Sequence, residues 1–116
     1  AVLVLGACEK PTPAMTFLRL DPNFGGLQGG KTVRVVGRSI RLDIGYAVYF
    51  GKLRSPRVSI QNDRALLAVT PRQWTPAMVD VTIRADNGSV FVIRNGFEYI
   101  DQRGQLLDAP EEPQDP

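Results

Sequence analysis

The 116-residue sequence contains no histidine and a single cysteine, Cys8. The absence of histidine excludes Ser-His-Asp and Cys-His catalytic arrangements as well as metal sites with imidazole ligands. A single cysteine cannot form an intrachain disulfide bond. The acidic residues of the central part show neither a close pair nor the spacing of a calcium-binding loop. We therefore expect a chain that is not an enzyme and that binds no metal ion and no dissociable cofactor.

The sequence also lacks long apolar runs and helical periodicity. A transmembrane helix needs about 20 consecutive apolar residues, and the run at residues 1–7 is far shorter. No stretch of a dozen residues repeats with the period of an amphipathic helix, and only residues 71–78 allow a short helical turn. The paired glycines Gly25-Gly26 and Gly29-Gly30 are not followed by the lysine motif of a phosphate-binding loop.

The apolar residues 1–7 end at Cys8, and a polar, proline-rich segment follows at once. Leu5-Gly6-Ala7-Cys8 resembles a lipobox, where a bacterial signal peptidase cuts before a cysteine that carries a diacylglyceryl group. The resemblance implies a signal-peptide remnant at 1–7, a lipidated tether at 8–15 and a covalent lipid on Cys8, with several acyl chains giving stable membrane anchoring. The alternative is that Cys8 is an ordinary small apolar residue. The lipobox resemblance implies a location in the bacterial cell envelope, where we expect an outer membrane facing the periplasm or the cell surface.

Charge is distributed unevenly along the chain. From Thr16 to Ile100 twelve Lys and Arg stand against six Asp and Glu, a net charge of +6. From Asp101 to Pro116 one Arg stands against five acids, a net charge of −4. Because prolines are interspersed among these acids, residues 101–116 are interpreted as a disordered acidic tail or a linker. The basic central part suits an anionic partner, or its charges are solvated strand faces.

The central residues 16–100 alternate between apolar and polar with period two, as half-buried strands do. The pattern predicts that Val33 and Val35 point inward, and that Leu18 and Leu20 share one face. Residues 65–69 are apolar on both faces, so their inward set stays open between Leu66/Ala68 and Leu67/Val69. Asn87-Gly88 predicts a hairpin turn. About seven short strands favour an antiparallel β-sandwich of the immunoglobulin-like class.

The order of the turn and strand signals is similar to that of an IPT/TIG domain, the immunoglobulin-like fold of plexins, some transcription factors and many bacterial surface proteins. The segments that carry the resemblance are Asn23 to Gly30, Thr32 to Gly37, Val48 to Gly51, Leu66 to Pro71, Val79 to Ile83, Asn87-Gly88 and Gly96 to Tyr99. Gly29-Gly30 allows a sharp turn at positive φ. Phe97 and Tyr99 are expected to fill the core, with the Tyr99 hydroxyl reaching a polar partner at its rim.

Three features are candidates for an interaction surface. The first is a group of basic residues that would cluster if the second strand and the following loops lie near the third and fourth strands: Arg34, Arg38, Arg41, Lys52, Arg54 and Arg57. The second is the aromatic set Tyr46, Tyr49 and Trp74, of which Trp74 is expected either to cover one end of the sandwich or to form a contact. The third is a sheet edge open to strand addition.

The anchor, the tether and the resemblance together predict a non-catalytic lipoprotein whose immunoglobulin-like domain docks onto a protein complex of the cell envelope. The alternative is a module that binds a surface glycan, which a shared surface for the three aromatic residues would favour. Nucleic acid is not expected as a partner, because the protein is predicted to be exported. A spacer that displays a further domain is also compatible with the sequence.

Overall fold

The computed structural model describes residues 14–101. Cys8, the predicted signal remnant 1–7, most of the predicted tether and the tail beyond Asp101 lie outside the described residues. The described part of the chain consists of nine strands and contains no helix. The strands are β1 (Thr16–Asp21), β2 (Phe24–Gly26), β3 (Thr32–Arg38), β4 (Tyr46–Phe50), β5 (Leu53–Arg54), β6 (Val58–Asn62), β7 (Ala65–Val69), β8 (Ala77–Ala85) and β9 (Val90–Ile100).

The strands form two sheets that face each other. One sheet has four strands in the order β1-β3-β7-β6, and the other has five in the order β2-β9-β8-β4-β5. All pairs are antiparallel except β2, which runs parallel to β9. The predicted all-β, immunoglobulin-like sandwich is confirmed. The count rises from about seven to nine through two very short strands, β2 with three residues and β5 with two.

The core lies between the two sheets and follows the alternation in the sequence. Val33 and Val35 of β3 are buried as predicted. In β7 the buried pair is Leu66 and Ala68, which settles the face that the sequence left open. Period-two alternation sends their neighbours to the opposite face of the sheet. The apolar side chains that alternate inward therefore form one continuous core between the sheets.

Tyr99 closes one end of this core. Its side chain is 1% exposed, yet its hydroxyl donates a hydrogen bond to the carbonyl oxygen of Pro71 at 2.8 Å. Burial raises the pKa of Tyr99 to about 12 because the phenolate form would lose its hydration. The hydroxyl thus remains a donor at physiological pH, and the predicted polar partner at the rim is confirmed.

Leu18 departs from the predicted alternation of β1. The register between β1 and β3 shifts between Phe17 and Arg19, so one extra residue is accommodated there. A bulge of this kind turns the following side chains by one position. Leu18 is consequently 44% exposed, whereas Leu20 is buried. Phe17 packs inward instead, with its ring 5.0 Å from that of Phe91.

The short helical turn allowed at residues 71–78 is also absent. Residues 71–76 have no regular structure, and Ala77 already belongs to β8. The backbone N–H of Gln73 donates to Leu27 O at 2.8 Å, which ties this segment to the loop after β2. Contacts between loops therefore hold this segment in an irregular conformation, with a bend at Trp74 and Thr75, that isolated residue preferences did not indicate.

Gly29 and Gly30 offer a test of the turn between β2 and β3. Both have positive φ, 70° and 83°. A Cβ on Gly29 would lie 2.7 Å from the carbonyl carbon of Pro71, whereas a Cβ on Gly30 would meet nothing within 4 Å. We expect Gly30→Ala to lower the free energy of unfolding by about 1–2 kcal/mol, the cost of a left-handed residue. Gly29→Ala adds a backbone clash and should cost clearly more.

Urea denaturation of the two variants and the parent chain measures this difference. The comparison is matched because both substitutions add one methyl group at positive φ to adjacent residues. Equal losses for the two variants would contradict the packing of Pro71 against Gly29.

Candidate interaction surface

The outer face of the five-stranded sheet carries an apolar band bordered by arginines. On β4, β8 and β9 the residues that alternate with the core side chains point away from the four-stranded sheet. We call this surface the basic apolar face. It consists of Ala47, Tyr49, Arg54, Thr82, Arg84, Val90, Val92 and Arg94.

Strand register makes the band continuous. Tyr49 of β4 lies opposite Arg54 of β5 on one side and opposite Thr82 of β8 on the other. Thr82 in turn lies opposite Val92 of β9. Directly opposed residues have Cβ atoms about 4.5–5.5 Å apart, so neighbouring side chains in the row touch.

A second row runs beside the first. Ala47 lies opposite Arg84, and Arg84 lies opposite Val90. The alkyl part of the Arg84 side chain can cover apolar neighbours while its guanidinium stays in water. The two rows together bring side chains from four strands into one surface.

Exposed apolar side chains are concentrated on this side of the molecule. Val90 and Val92 are each 52% exposed. Phe24 and Met78 lie on the same sheet surface further along, because both are registered with the outward-facing Glu98. Among residues 14–101, these four make up most of the large apolar side chains that are exposed; the others are Leu18, Leu42 and Trp74. Contiguous exposed apolar surface marks interaction sites more often than isolated side chains do.

The eight residues of the basic apolar face include three arginines and no acid, so their net charge is positive; Asp80 and Glu98 lie outside the face on the same sheet surface. Among the described residues no hydrogen bond or ion pair engages the side chains of Arg54, Arg84 or Arg94. The nearest acid along β8 is Asp80, whose Oδ1 accepts the backbone N–H of Asn95 at 2.8 Å. The three guanidinium groups are therefore available for an acidic partner.

The irregular part of β9 explains why Asn95 stays out of the core. The register between β8 and β9 shifts between Val79 and Val81, where β9 accommodates extra residues. Asn95 adopts a left-handed conformation with φ 52° in this bulge and is exposed. Asparagine tolerates this conformation better than most residues. The bulge keeps Ile93 and Phe97 on the inner side and leaves the outward residues of β9 undisturbed.

The six residues of the predicted basic group do not form one cluster. Arg34 and Arg38 lie on the outer face of the four-stranded sheet, because β3 belongs to it. Arg54 lies on the outer face of the other sheet, beside Tyr49. Lys52 is in the turn between β4 and β5, and Arg57 is in the segment that crosses to β6.

Arg41 has a local partner. Its guanidinium donates to both carboxylate oxygens of Asp43, at 3.1 and 2.8 Å. These hydrogen bonds raise the pKa of Arg41 and lower the pKa of Asp43. Arg41 is thereby held in its own loop and does not contribute a free charge to either sheet face.

The three predicted aromatic residues are also spread apart. Tyr46 and Tyr49 lie on opposite faces of β4, since they are three residues apart in a strand. The Tyr46 hydroxyl donates to Arg41 O at 2.8 Å, and burial raises its pKa. Trp74 lies in the loop before β8, at the end of the sheet opposite to the one that Tyr46 occupies.

Trp74 does not cover the core. Its side chain is 74% exposed, and the Arg72 guanidinium stacks on its ring at 4.5 Å from the ring centroid. Gln73 Oε1 accepts the backbone N–H of Trp74 at 3.0 Å. Of the two expectations for Trp74, the contact role agrees with this exposure and the covering role does not.

Arg84, Val90, Val92 and Arg94 are part of the basic apolar face but were not indicated by the sequence. In residues 90–93 both alternating sets are apolar, so the pattern does not show which set is outside. The available signal was that residues 90–93 are all apolar. Only one alternating set can fill the core, so the other set is left exposed on the outer face.

An open groove borders the face where the chain crosses between the sheets. It has a volume of about 400 Å³ and is lined by Tyr46, Ala47, Arg54, Ser55, Pro56 and Val58. The Ser55 hydroxyl donates to Val69 O at 2.7 Å, which holds the crossing segment against β7. The groove extends the basic apolar face toward β6 without adding an acidic side chain.

Two further properties concern the described residues as a whole. Residues 14–101 contain no group of three or more Cys, Asp or Glu side chains arranged to hold a metal ion. The same residues contain no helix long and apolar enough to cross a membrane.

Comparison with known proteins supports the fold. No family model and no curated protein matches the chain. The solved structure of the full plexin A4 extracellular region, domains 1 to 10, is similar, with a TM-score of 0.62 and 22% sequence identity. The match covers 77% of this chain and 7% of that chain. At this identity the likeness shows the fold alone: the chain is an immunoglobulin-like β-sandwich.

Proposed function

We propose that the protein is a non-catalytic, lipid-anchored module of the bacterial cell envelope. Its IPT/TIG-like domain docks onto an envelope protein through the basic apolar face. The observation that carries this proposal is the concentration of exposed apolar side chains on the outer surface of one sheet. The lipobox-like motif at Cys8 supplies the proposed anchor and location.

The composition of the face suits a protein partner. Interfaces are enriched in tyrosine and arginine and depleted of acidic residues and lysine. Tyr49, Arg54 and Arg84 lie beside Val90 and Val92 in adjacent rows. A partner that covers the valines gains apolar burial of about 25 cal/mol per Å². The arginines select a partner that presents acidic groups nearby.

The arrangement of aromatic residues favours a protein partner over a glycan. Stacking on a sugar chain would be supported by several rings on one surface. Tyr46 and Tyr49 occupy opposite faces of β4, and Trp74 lies in a loop at another end. Trp74 alone, with one ring face open opposite Arg72, is the feature that supports glycan binding.

The proposed anchor is compatible with lateral docking. Ala14 follows Cys8 by six positions, so the tether spans about 20 Å when extended. The Tyr46 hydroxyl donates to the Sδ atom of Met15 at 3.2 Å. Because Tyr46 is registered with Ala85, this contact places the start of β1 at the end of the sheet near Ala85. This end faces the membrane in the proposed arrangement. The basic apolar face then lies on the side of the sandwich.

Charge reversal on one sheet tests the docking surface. We expect residues 14–101, used as bait on solubilised envelopes, to retain a stoichiometric protein partner. Arg54→Glu/Arg84→Glu should reduce its recovery at least tenfold, because two attractive contacts become repulsive. Quantitative mass spectrometry of the retained proteins measures the change.

The matched control is Arg34→Glu/Arg38→Glu, which makes the same charge change on the outer face of the other sheet. This variant should retain the partner. Loss of the partner with this control variant, and not with Arg54→Glu/Arg84→Glu, would place the docking surface on the four-stranded sheet and contradict the proposal. Retention of polysaccharide without a protein would favour the glycan alternative.

Substitution of Cys8 tests the anchor independently of docking. We expect the precursor with a complete signal peptide to incorporate labelled palmitate and to enter the detergent phase. Cys8→Ser should lose both properties, because serine cannot receive the thioether-linked diacylglyceryl group. Cys8→Ala serves as a second variant. Unchanged palmitate labelling and detergent partitioning in both variants would contradict the proposed lipid anchor at Cys8.

A further inference from the structure

We propose that the acidic tail of this same chain, residues 105–115, occupies the basic apolar face when no partner is bound. The proposal concerns an internal occupant of the face, so it shares a surface with the proposed function but does not require a partner to exist. Its basis is charge, reach and side-chain chemistry.

The charges of the face and the tail are complementary. Arg54, Arg84 and Arg94 surround the apolar band and engage no described side chain. Residues 105–115 contribute four acids and no basic residue: Asp108, Glu111, Glu112 and Asp115. Tethering in one chain raises the effective concentration of the two parts, so individually weak contacts between them are strengthened.

The tail leaves the sandwich from the strand that it would cover. β9 ends at Ile100, which is registered with Gly26 of β2 at one end of the sheet. Ile100 follows Val90 by ten positions, and a strand of this length extends about 33 Å. The residues from Asp101 to Pro116 can extend about 50 Å. The tail is therefore long enough to return along the whole outer side of β9.

The order of residues in the tail matches the order of features on the face. Leu106 and Leu107 follow Ile100 by six and seven residues, a reach of about 20 Å. That reach can bring the two leucines as far as Arg94, next to Val92. Asp108, Glu111 and Glu112 then fall further along, toward Arg84 and the Val90 end.

The prolines of the tail favour a face over an edge. Pro110 and Pro113 have no backbone N–H and cannot continue a strand ladder. An extended segment that contains them binds through side chains, as the exposed valines and arginines of the face require. The free edges of the five-stranded sheet are moreover only three and two residues long.

The tail would then compete with an external partner. A partner that binds the same face must displace the leucines and the acids of residues 105–115. Removal of the tail should increase partner binding without altering the sandwich. A tail that covers the exposed apolar side chains of the face would also limit their non-specific association with other molecules.

The test uses the chain from residue 8 to 116 with Cys8→Ser and a nitroxide label on Glu112→Cys. We expect the nitroxide to broaden the backbone amide signals of Val90 and Val92 at least threefold more than the backbone amide signal of Ser59 on the other sheet. Replacing Arg54 and Arg84 by Glu should remove this difference. Raising the salt concentration to 0.5 M should weaken it, since exposed charges are screened.

Asp108→Asn/Glu111→Gln in the labelled chain should reduce the broadening, whereas Asp21→Asn, which removes one acid on the other sheet, should leave it unchanged. Equal broadening of Val92 and Ser59, or none at either, would overturn the proposal. Broadening that appears only when labelled and unlabelled chains are mixed would assign the contact to two copies and also overturn it. The docking experiment uses residues 14–101, which lack the tail, so the two proposals fail separately.

Discussion

Edge-to-face packing of three aromatic rings between the sheets determines which faces of β4 and β9 point into the core. The ring of Phe97 lies 5.2 Å from that of Phe50 and 5.1 Å from that of Tyr99. All three side chains are at most 1% exposed. A slip of β9 by one residue would move Phe97 and Tyr99 into water and bring charged Glu98 into the core. The register of the last part of β9 is consequently fixed. Before the bulge, Phe91 and Ile93 are registered with the buried Ile83 and Val81, which leaves Val90 and Val92 outside.

The same constraint makes the two sheet surfaces different. On the four-stranded sheet the row Arg34, Leu67 and Ser59 mixes charged, partly buried and polar side chains. On the five-stranded sheet apolar residues of β4 and β9 lie between arginines. Because the outer strands β2 and β5 are very short, strand addition to this sheet has little backbone to pair with. Docking through side chains is the arrangement that the sheet offers.

Sequence patterns predicted the core better than the surface. Val33, Val35 and Tyr99 followed from alternation and from the turn signals around them. Leu18 did not, because a bulge shifts register through pairing with β3, which local sequence does not reveal. A segment such as residues 90–93 is apolar in both alternating sets, so only the packing of the opposite sheet decides which set is buried.

Proximity in sequence was a poor guide to the candidate site. Arg54 and Arg57 are three residues apart, yet the chain crosses from one sheet to the other between them. Arg34 and Arg54 have the same charge and similar exposure but point to opposite sides of the sandwich. Only topology distinguishes them, and topology depends on contacts between strands that are distant in the chain.

The most direct test of the account is photo-crosslinking in cells that produce the protein. A photoreactive phenylalanine analogue is placed at Val92 on the basic apolar face or, as the matched position, at Ser59 on the opposite sheet. The account predicts a discrete crosslinked envelope protein from position 92 and none from position 59. A discrete crosslink from position 59 with none from position 92 would show that the five-stranded sheet is not the docking surface.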